Sequence, residues 1–143
     1  MLNKLMHIQS ELKAPKGNYN SYGKYNYRSQ EDILEAVKPL LFKYNCSLML
    51  TDEVIHLEGT DRVYVVAKAS FFDDETGKSI SVSAMAREPD EQKGMTASQI
   101  TGTASSYARK YALNGLFLID DTKDPDTEEY KAQTDGVELK KIG

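Results

Sequence analysis

Between Ser47 and Arg87 the chain carries three consecutive segments built for strands, and this run constrains the fold more than any other feature. Residues 47–57 (SLMLTDEVIHL), 62–72 (RVYVVAKASFF) and 79–87 (SISVSAMAR) alternate with period two or are rich in β-branched and aromatic residues. The connections EGTD and DDETGK are too short for a crossover, and Gly59 and Gly77 within them can adopt the positive φ of a hairpin turn. An antiparallel meander follows. In its third strand Ile80, Val82, Ala84 and Ala86 point one way while Ser79, Ser81, Ser83 and Met85 point the other. One face therefore belongs to a core, and the semi-polar face is open to a partner.

Three strands cannot bury their apolar face alone, so helices must cover it. Leu2, Leu5, Met6, Ile8 and Leu12 recur at three- and four-residue steps, which predicts a short amphipathic helix over the first dozen residues, stopped by Pro15 and Gly17. Residues 17–28 (GNYNSYGKYNYR) have no apolar period and read as a loop. Ser29 with Asp32 resembles an N-cap, after which Ile33, Leu34, Val37, Leu40, Leu41 and Tyr44 define one helix face. Pro39 should kink that second helix or remove about one hydrogen bond. After a polar loop at 88–96, residues 97–113 predict a third helix that Asn114-Gly115 would end, with Leu116–Ile119 as a short apolar strand or core plug. Ala97, Ser98, Thr101, Gly102, Ala104, Ser105 and Ala108 make this helix open to close approach by another backbone or chain.

The expected fold is thus α+β: two N-terminal helices, a three-stranded antiparallel meander and a following helix. With 143 residues the chain suits one domain, placed at residues 1–119. Residues 120–143 hold eight acidic residues against four lysines and few large apolar ones, and are expected to be an acidic, mostly disordered tail. The formal charge of −4 therefore belongs to the tail, and the body is neutral. Within the body, residues 1–30 set five cations against the single acid Glu11, a local basic segment.

Most chemistries lack their residues. Cys46 is alone, and with only His7 and His56 beside it no Cys/His zinc cage can form. Neither histidine is placed beside a serine or Cys46 as a general base, so no nucleophilic enzyme is expected. Gly94 and Gly102 lack the Gly-Lys-Ser/Thr that completes a phosphate-cradling loop. Asp73-Asp74-Glu75-Thr76-Gly77 begins like a calcium loop, but Ala84 stands where the closing Glu belongs, so a hairpin turn is expected. The carboxylates Asp120, Asp121, Asp124 and Asp126 leave a magnesium-dependent nuclease as a rival reading, with a solvated tail the plainer one. No cofactor or resident metal is expected. No run approaches the roughly 20 apolar residues of a membrane span, and MLNKLMHIQS shows no secretory signal, which makes the cytosol the expected location.

Two clusters mix cations with rings. Lys16, Tyr19, Tyr22, Lys24, Tyr25, Tyr27 and Arg28 alternate them as single-stranded nucleic acid requires, rings stacking on bases while cations neutralise phosphates. A tyrosine-rich loop folded over the core explains the same residues equally well. Ser105-Ser106-Tyr107-Ala108-Arg109-Lys110-Tyr111 sets two adjacent cations on a helix surface, which by itself is a solvated face more often than a site.

The runs KYNYRSQEDILEAVKPLLFKYNCSL, DDETGKSISVSAMARE and above all KGMTASQITGTASSYARKYALNGLFLIDDTKDPD closely resemble the essential recombination function (ERF) superfamily of phage single-strand annealing proteins, over roughly residues 20–126. The resemblance implies a non-enzymatic protein that binds single-stranded DNA and anneals complementary strands without ATP, with a β-β-β-α core and assembly into a homo-oligomeric ring or arc. It implies a phage or prophage origin, the cytoplasm of a bacterial host as location, and DNA contacts at Arg28, Arg109 and Lys110. Lys16, Tyr22, Lys24, Tyr25 and Tyr27 join that set from composition. A phage exonuclease or a host single-strand binding protein is a further partner such a role admits, and a pure interaction module that modulates host replication proteins is a third reading. The chain carries no sizeable domain after the acidic stretch, so functions served by one are not expected of it.

Overall fold

The computed structural model describes residues 1–90 and 94–119. The expected meander is present as β3 (Cys46–His56), β4 (Val63–Asp73) and β5 (Ser79–Arg87), preceded by α1 (Leu2–Glu11), the short strands β1 (Asn18–Asn20) and β2 (Tyr25–Tyr27) and α2 (Gln30–Lys43), and followed by α3 (Ala97–Phe117). Strand order is β3-β4-β5, antiparallel throughout, with Val54 opposite Val65 and Val65 opposite Ala86. Gly59 and Gly77 take φ of +81° and +75° in the two turns, as the turn chemistry requires.

Alternation decides which face is covered. Val65, Ala67, Ala69 and Phe71 of β4 are buried, and Ile80, Val82, Ala84 and Ala86 of β5 pack beside them. α3 lies over β4 and β5. It meets them with Ala104, Ala108 and Ala112, which lets the helix axis come close to the sheet, and Phe71 meets Phe117 edge-on at 6.5 Å. The small residues of α3 that the sequence offered to another chain are thus partly consumed by the chain's own sheet. Leu5, Ile8 and Leu12 of the first helical segment and Ile33 and Val37 of α2 complete the core. The outer face stays open: Ser79, Ser81, Ser83 and Met85 are exposed, as is Met49 on β3, and Ser70 and Ser81 share a 2.8 Å hydrogen bond across it.

Three expectations need correction. Residues 17–28 are not a loop but a β-hairpin, in which Asn18 pairs with Tyr27 and Asn20 with Tyr25. Asn-Gly does not end α3. A Cβ at Gly115 would stand 3.3 Å from Val82 Cγ1, so this glycine permits close helix–sheet packing. The helix therefore continues to Phe117, and no strand forms at 116–119. The stop is Leu118, in the left-handed region at φ +55°, whose N–H and that of Ile119 both reach the Asn114 carbonyl. α2 in turn runs through Pro39 to Lys43, losing only the bond that an N–H at that position would have made.

The Asp73 turn is a hairpin turn, held by Asp73 N–H donating to the Lys78 carbonyl and Gly77 N–H to the Asp73 carbonyl. The Asp73 side chain is buried and accepts from Lys4 Nζ at 2.8 Å and from the Glu75 N–H at 3.0 Å, with the Met1 amino group 3.4 Å away. These partners, Lys4 foremost, hold its carboxyl well below the usual carboxylate range. Among the described residues no helix is long and apolar enough to cross a membrane. The expectations for residues 120–143 lie outside the described residues.

Candidate nucleic-acid interface

The β1–β2 hairpin owes its shape to asparagine and glycine. Asn20 Oδ1 accepts from the N–H groups of Tyr22 and Gly23 at 2.9 and 3.0 Å, which closes the turn. A Cβ at Gly23 would strike the Tyr25 ring, so this glycine leaves room for the ring where it lies. The base of the hairpin is tied to the start of α2. Asn18 Nδ2 donates to Ser29 Oγ at 3.1 Å and to Asp32 Oδ2 at 2.7 Å, and Ser29 and Asp32 themselves form a capping box. Arg28 Nε donates to the Ala14 carbonyl, which fixes the strand exit.

Opposite this hairpin stands one stripe of α3. Gln99, Thr103, Ser106 and Lys110, with Gly102, Tyr107 and Tyr111 flanking them at three- and four-residue spacings, line one broad side of the helix. The helix start is set by a second capping box, Thr96 with Gln99. Gln30 Nε2 donates to Ser106 Oγ at 3.3 Å and bridges the two walls. Between them lies a cleft of about 960 Å³, lined from the hairpin side by Lys16, Asn20, Tyr25, Asn26, Tyr27, Arg28 and the first turn of α2.

The cleft is aromatic on both sides and cationic in balance. Tyr25 and Tyr27 are 6.2 Å apart at 59°, and Tyr107 and Tyr111 are 6.2 Å apart at 32°. Burial first, then the neighbouring phenols Tyr25, Tyr111 and Tyr27, push the Tyr107 phenol up from its ordinary pKa. Lys16, Arg28 and Lys110 against Glu31 give the lining a net charge of +2. Rings beside cations and amides suit bases and phosphates together.

The profile of the ERF superfamily matches residues 1–139. The chain belongs to that superfamily. It is 55% identical over 137 residues to the "Essential recombination function protein" of Salmonella phage P22, an alignment covering 96% of this chain and 64% of that protein. The chain thus spans less than two thirds of this relative's length. No solved structure matches it.

Against this ERF framework the candidate residues separate. Lys16, Tyr25, Tyr27, Arg28 and Lys110 come together in the cleft. Tyr22 stands at the hairpin tip, 99% exposed, and Lys24 beside it takes φ +55°; neither lines the cleft. Arg109 leaves α3 on a different side. Its Nε and Nη2 meet Asp52 Oδ1 and Oδ2 at 3.0 and 3.1 Å, and Ser105 Oγ donates to the same carboxylate at 2.6 Å. Burial would raise the Asp52 pKa, but the hydrogen bonds from Arg109 and Ser105 outweigh it and the net shift is downward. Adjacent helix residues point about 100° apart, so the sequence pair Arg109-Lys110 is not a pair in space. Tyr107 and Tyr111 lie on the cleft wall with Lys110 and were absent from the sequence-derived set. Their four-residue spacing in YARKY was the signal that would have found them.

Proposed function

We propose that this chain binds single-stranded DNA in the cleft between the β1–β2 hairpin and α3 and promotes annealing of complementary strands during phage recombination, without nucleotide and without covalent chemistry. The observation that carries the reading is the juxtaposition of Tyr25 and Tyr27 with Tyr107 and Tyr111 across a cleft that also holds Lys16, Arg28 and Lys110. Membership of the ERF superfamily and the name of the phage P22 relative support the recombination setting. The cations offset phosphate charge, and tyrosine stacking holds bases apart from one another while leaving part of the strand exposed for a complement. Both effects lower the barrier to pairing.

The reading includes self-assembly, ring or arc, since many weak cleft contacts on one strand become tight only when several subunits act together. The open outer sheet face, with Met49 and Met85 each 56% exposed, is a surface available for it.

Fluorescently labelled complementary oligonucleotides test the whole proposal without ATP, in the presence and absence of magnesium. Faster duplex formation with full-length strands, and tighter binding of single strand than duplex, are expected. Magnesium-dependent fragments would replace the proposal with a nuclease, and no binding at low salt would replace it with a protein-interaction module. Light scattering with and without DNA tests assembly, and a 16.0 kDa species alone would remove that part.

A further inference from the structure

α3 holds a glycine where the fold does not ask for one. Gly102 lies inside the helix, where glycine is weaker than alanine, and among the described residues a Cβ built on it would meet nothing within 4 Å beyond its own stretch of helix. Ala104, Ala108 and Ala112 of this helix are small for a structural reason, being buried in the core, and Gly115 faces Val82. Gly102 instead lines the cleft. It also stands seven residues, about two turns, before Arg109, so the two share a side of the helix. Gly102 is therefore a gap in the ridge that separates the tyrosine cleft from the flank carrying Ser105 and Arg109.

On the basis of the proposed function, we infer that Gly102 is the point where a single strand lying in the cleft crosses α3 to reach Arg109. A missing side chain lets a sugar-phosphate chain run close to the helix backbone, where any larger residue would lift it away. Arg109 is arranged to receive a phosphate there. Its pair with Asp52 uses Nε and Nη2, which leaves Nη1 of a side chain that is 32% exposed, and Asp52 and Ser105 fix the guanidinium in place. The two basic clusters of the sequence would then serve one strand from either side of α3, with Lys110 in the cleft and Arg109 beyond the gap.

Substitutions at Gly102, alone and combined with Arg109→Ala, test the crossing by fluorescence anisotropy with a deoxythymidine oligonucleotide. Gly102→Ala should raise Tm by about 3 °C, because the fold gains helix propensity and loses no contact. A lower Tm would overturn the argument that the glycine is there for a ligand. Gly102→Leu should weaken binding about tenfold, and adding Arg109→Ala should weaken it no further, since a strand that cannot cross gains nothing from Arg109. Should Gly102→Leu lose its helical circular dichroism, Gly102→Gln provides the same obstruction with a polar side chain. Wild-type binding with Gly102→Leu or Gly102→Gln within twofold of it, or full additivity with Arg109→Ala, would sink the crossing and leave the proposed function standing. Failure of the wild-type chain to bind the oligonucleotide would remove both.

Discussion

At the level of single residues, neighbours in sequence divide into different tasks. Lys110 faces the cleft while Arg109 is engaged by Asp52 and Ser105. Lys110→Ala should accordingly weaken single-strand binding and lower the log–log salt slope by about 0.7, the value for one lost phosphate contact. Arg109→Ala should also lower Tm, because a partly buried Asp52 loses its bidentate partner. The loss should be near 1 kcal/mol, as for a pair that is still reached by solvent, and urea titration measures it. Tyr107→Ala should cost roughly 1 to 3 kcal/mol of DNA affinity if its ring stacks on a base, with the salt slope preserved. Tyr107→Phe should retain most of that affinity, and an equal loss in both variants would transfer the role from the ring to the hydroxyl. The candidate site was legible in the sequence as two lists of residue types but not as a place. Tyr25, Tyr27 and Arg28 were identified by alternation of rings with cations, yet only the fold shows that they face Tyr107 and Tyr111 rather than a solvent-exposed loop's surroundings.

Among the elements, the strands were the most legible because their alternation is strict and their turns carry glycine at the right places. Observed bounds of 46–56, 63–73 and 79–87 lie within one residue of the expected ones. The hairpin at 18–27 was invisible to the same reasoning, since three-residue strands of Asn and Tyr have no apolar period, and side-chain bonds from Asn18 and Asn20 stabilise it instead. The end of α3 was misread for a related reason. A glycine after asparagine is a stop signal only when no tertiary contact needs the missing Cβ, and Val82 supplies that contact. Gly115→Leu should therefore destabilise the protein by about 1 to 3 kcal/mol despite a better helix former, because its Cβ crowds the Val82 methyl at the helix–sheet contact. Combining it with Val82→Ala should recover part of the loss. Equal denaturation midpoints for wild type and Gly115→Leu would return Gly115 to the status of an ordinary surface glycine.

For the molecule as a whole, the termini of α1, β3 and β4 meet in an electrostatic junction that lines no part of the cleft. Lys4 of α1 reaches both Asp73, at 2.8 Å, and Glu75, at 3.3 Å, while Asn45 Nδ2 donates to Glu75 at 3.0 Å and ties in the turn before β3. The pKa values of Asp73 and Glu75 are both shifted downward, Asp73 chiefly by Lys4 and Glu75 chiefly by Asn45 and then Lys4. A carboxyl with a depressed pKa in the folded state binds its proton less readily there than in the unfolded chain. Its stabilising effect is therefore complete above the unfolded value, about 4, and fades as pH falls below it toward the folded value. Urea denaturation should accordingly show stability nearly constant from pH 7 to about 5 and falling steeply below about 4. Asp73→Asn should be less stable than wild type at pH 7, since Lys4 then faces a neutral amide in place of a carboxylate, and its curve should be flatter on acidification because the titrating group is gone. The gap between the two proteins should narrow progressively as pH falls from about 4 toward the folded value of Asp73. Parallel curves for wild type and Asp73→Asn across this range would place the acid sensitivity in other carboxylates, of which Glu11, paired with Lys43 and Tyr44, is the next to replace.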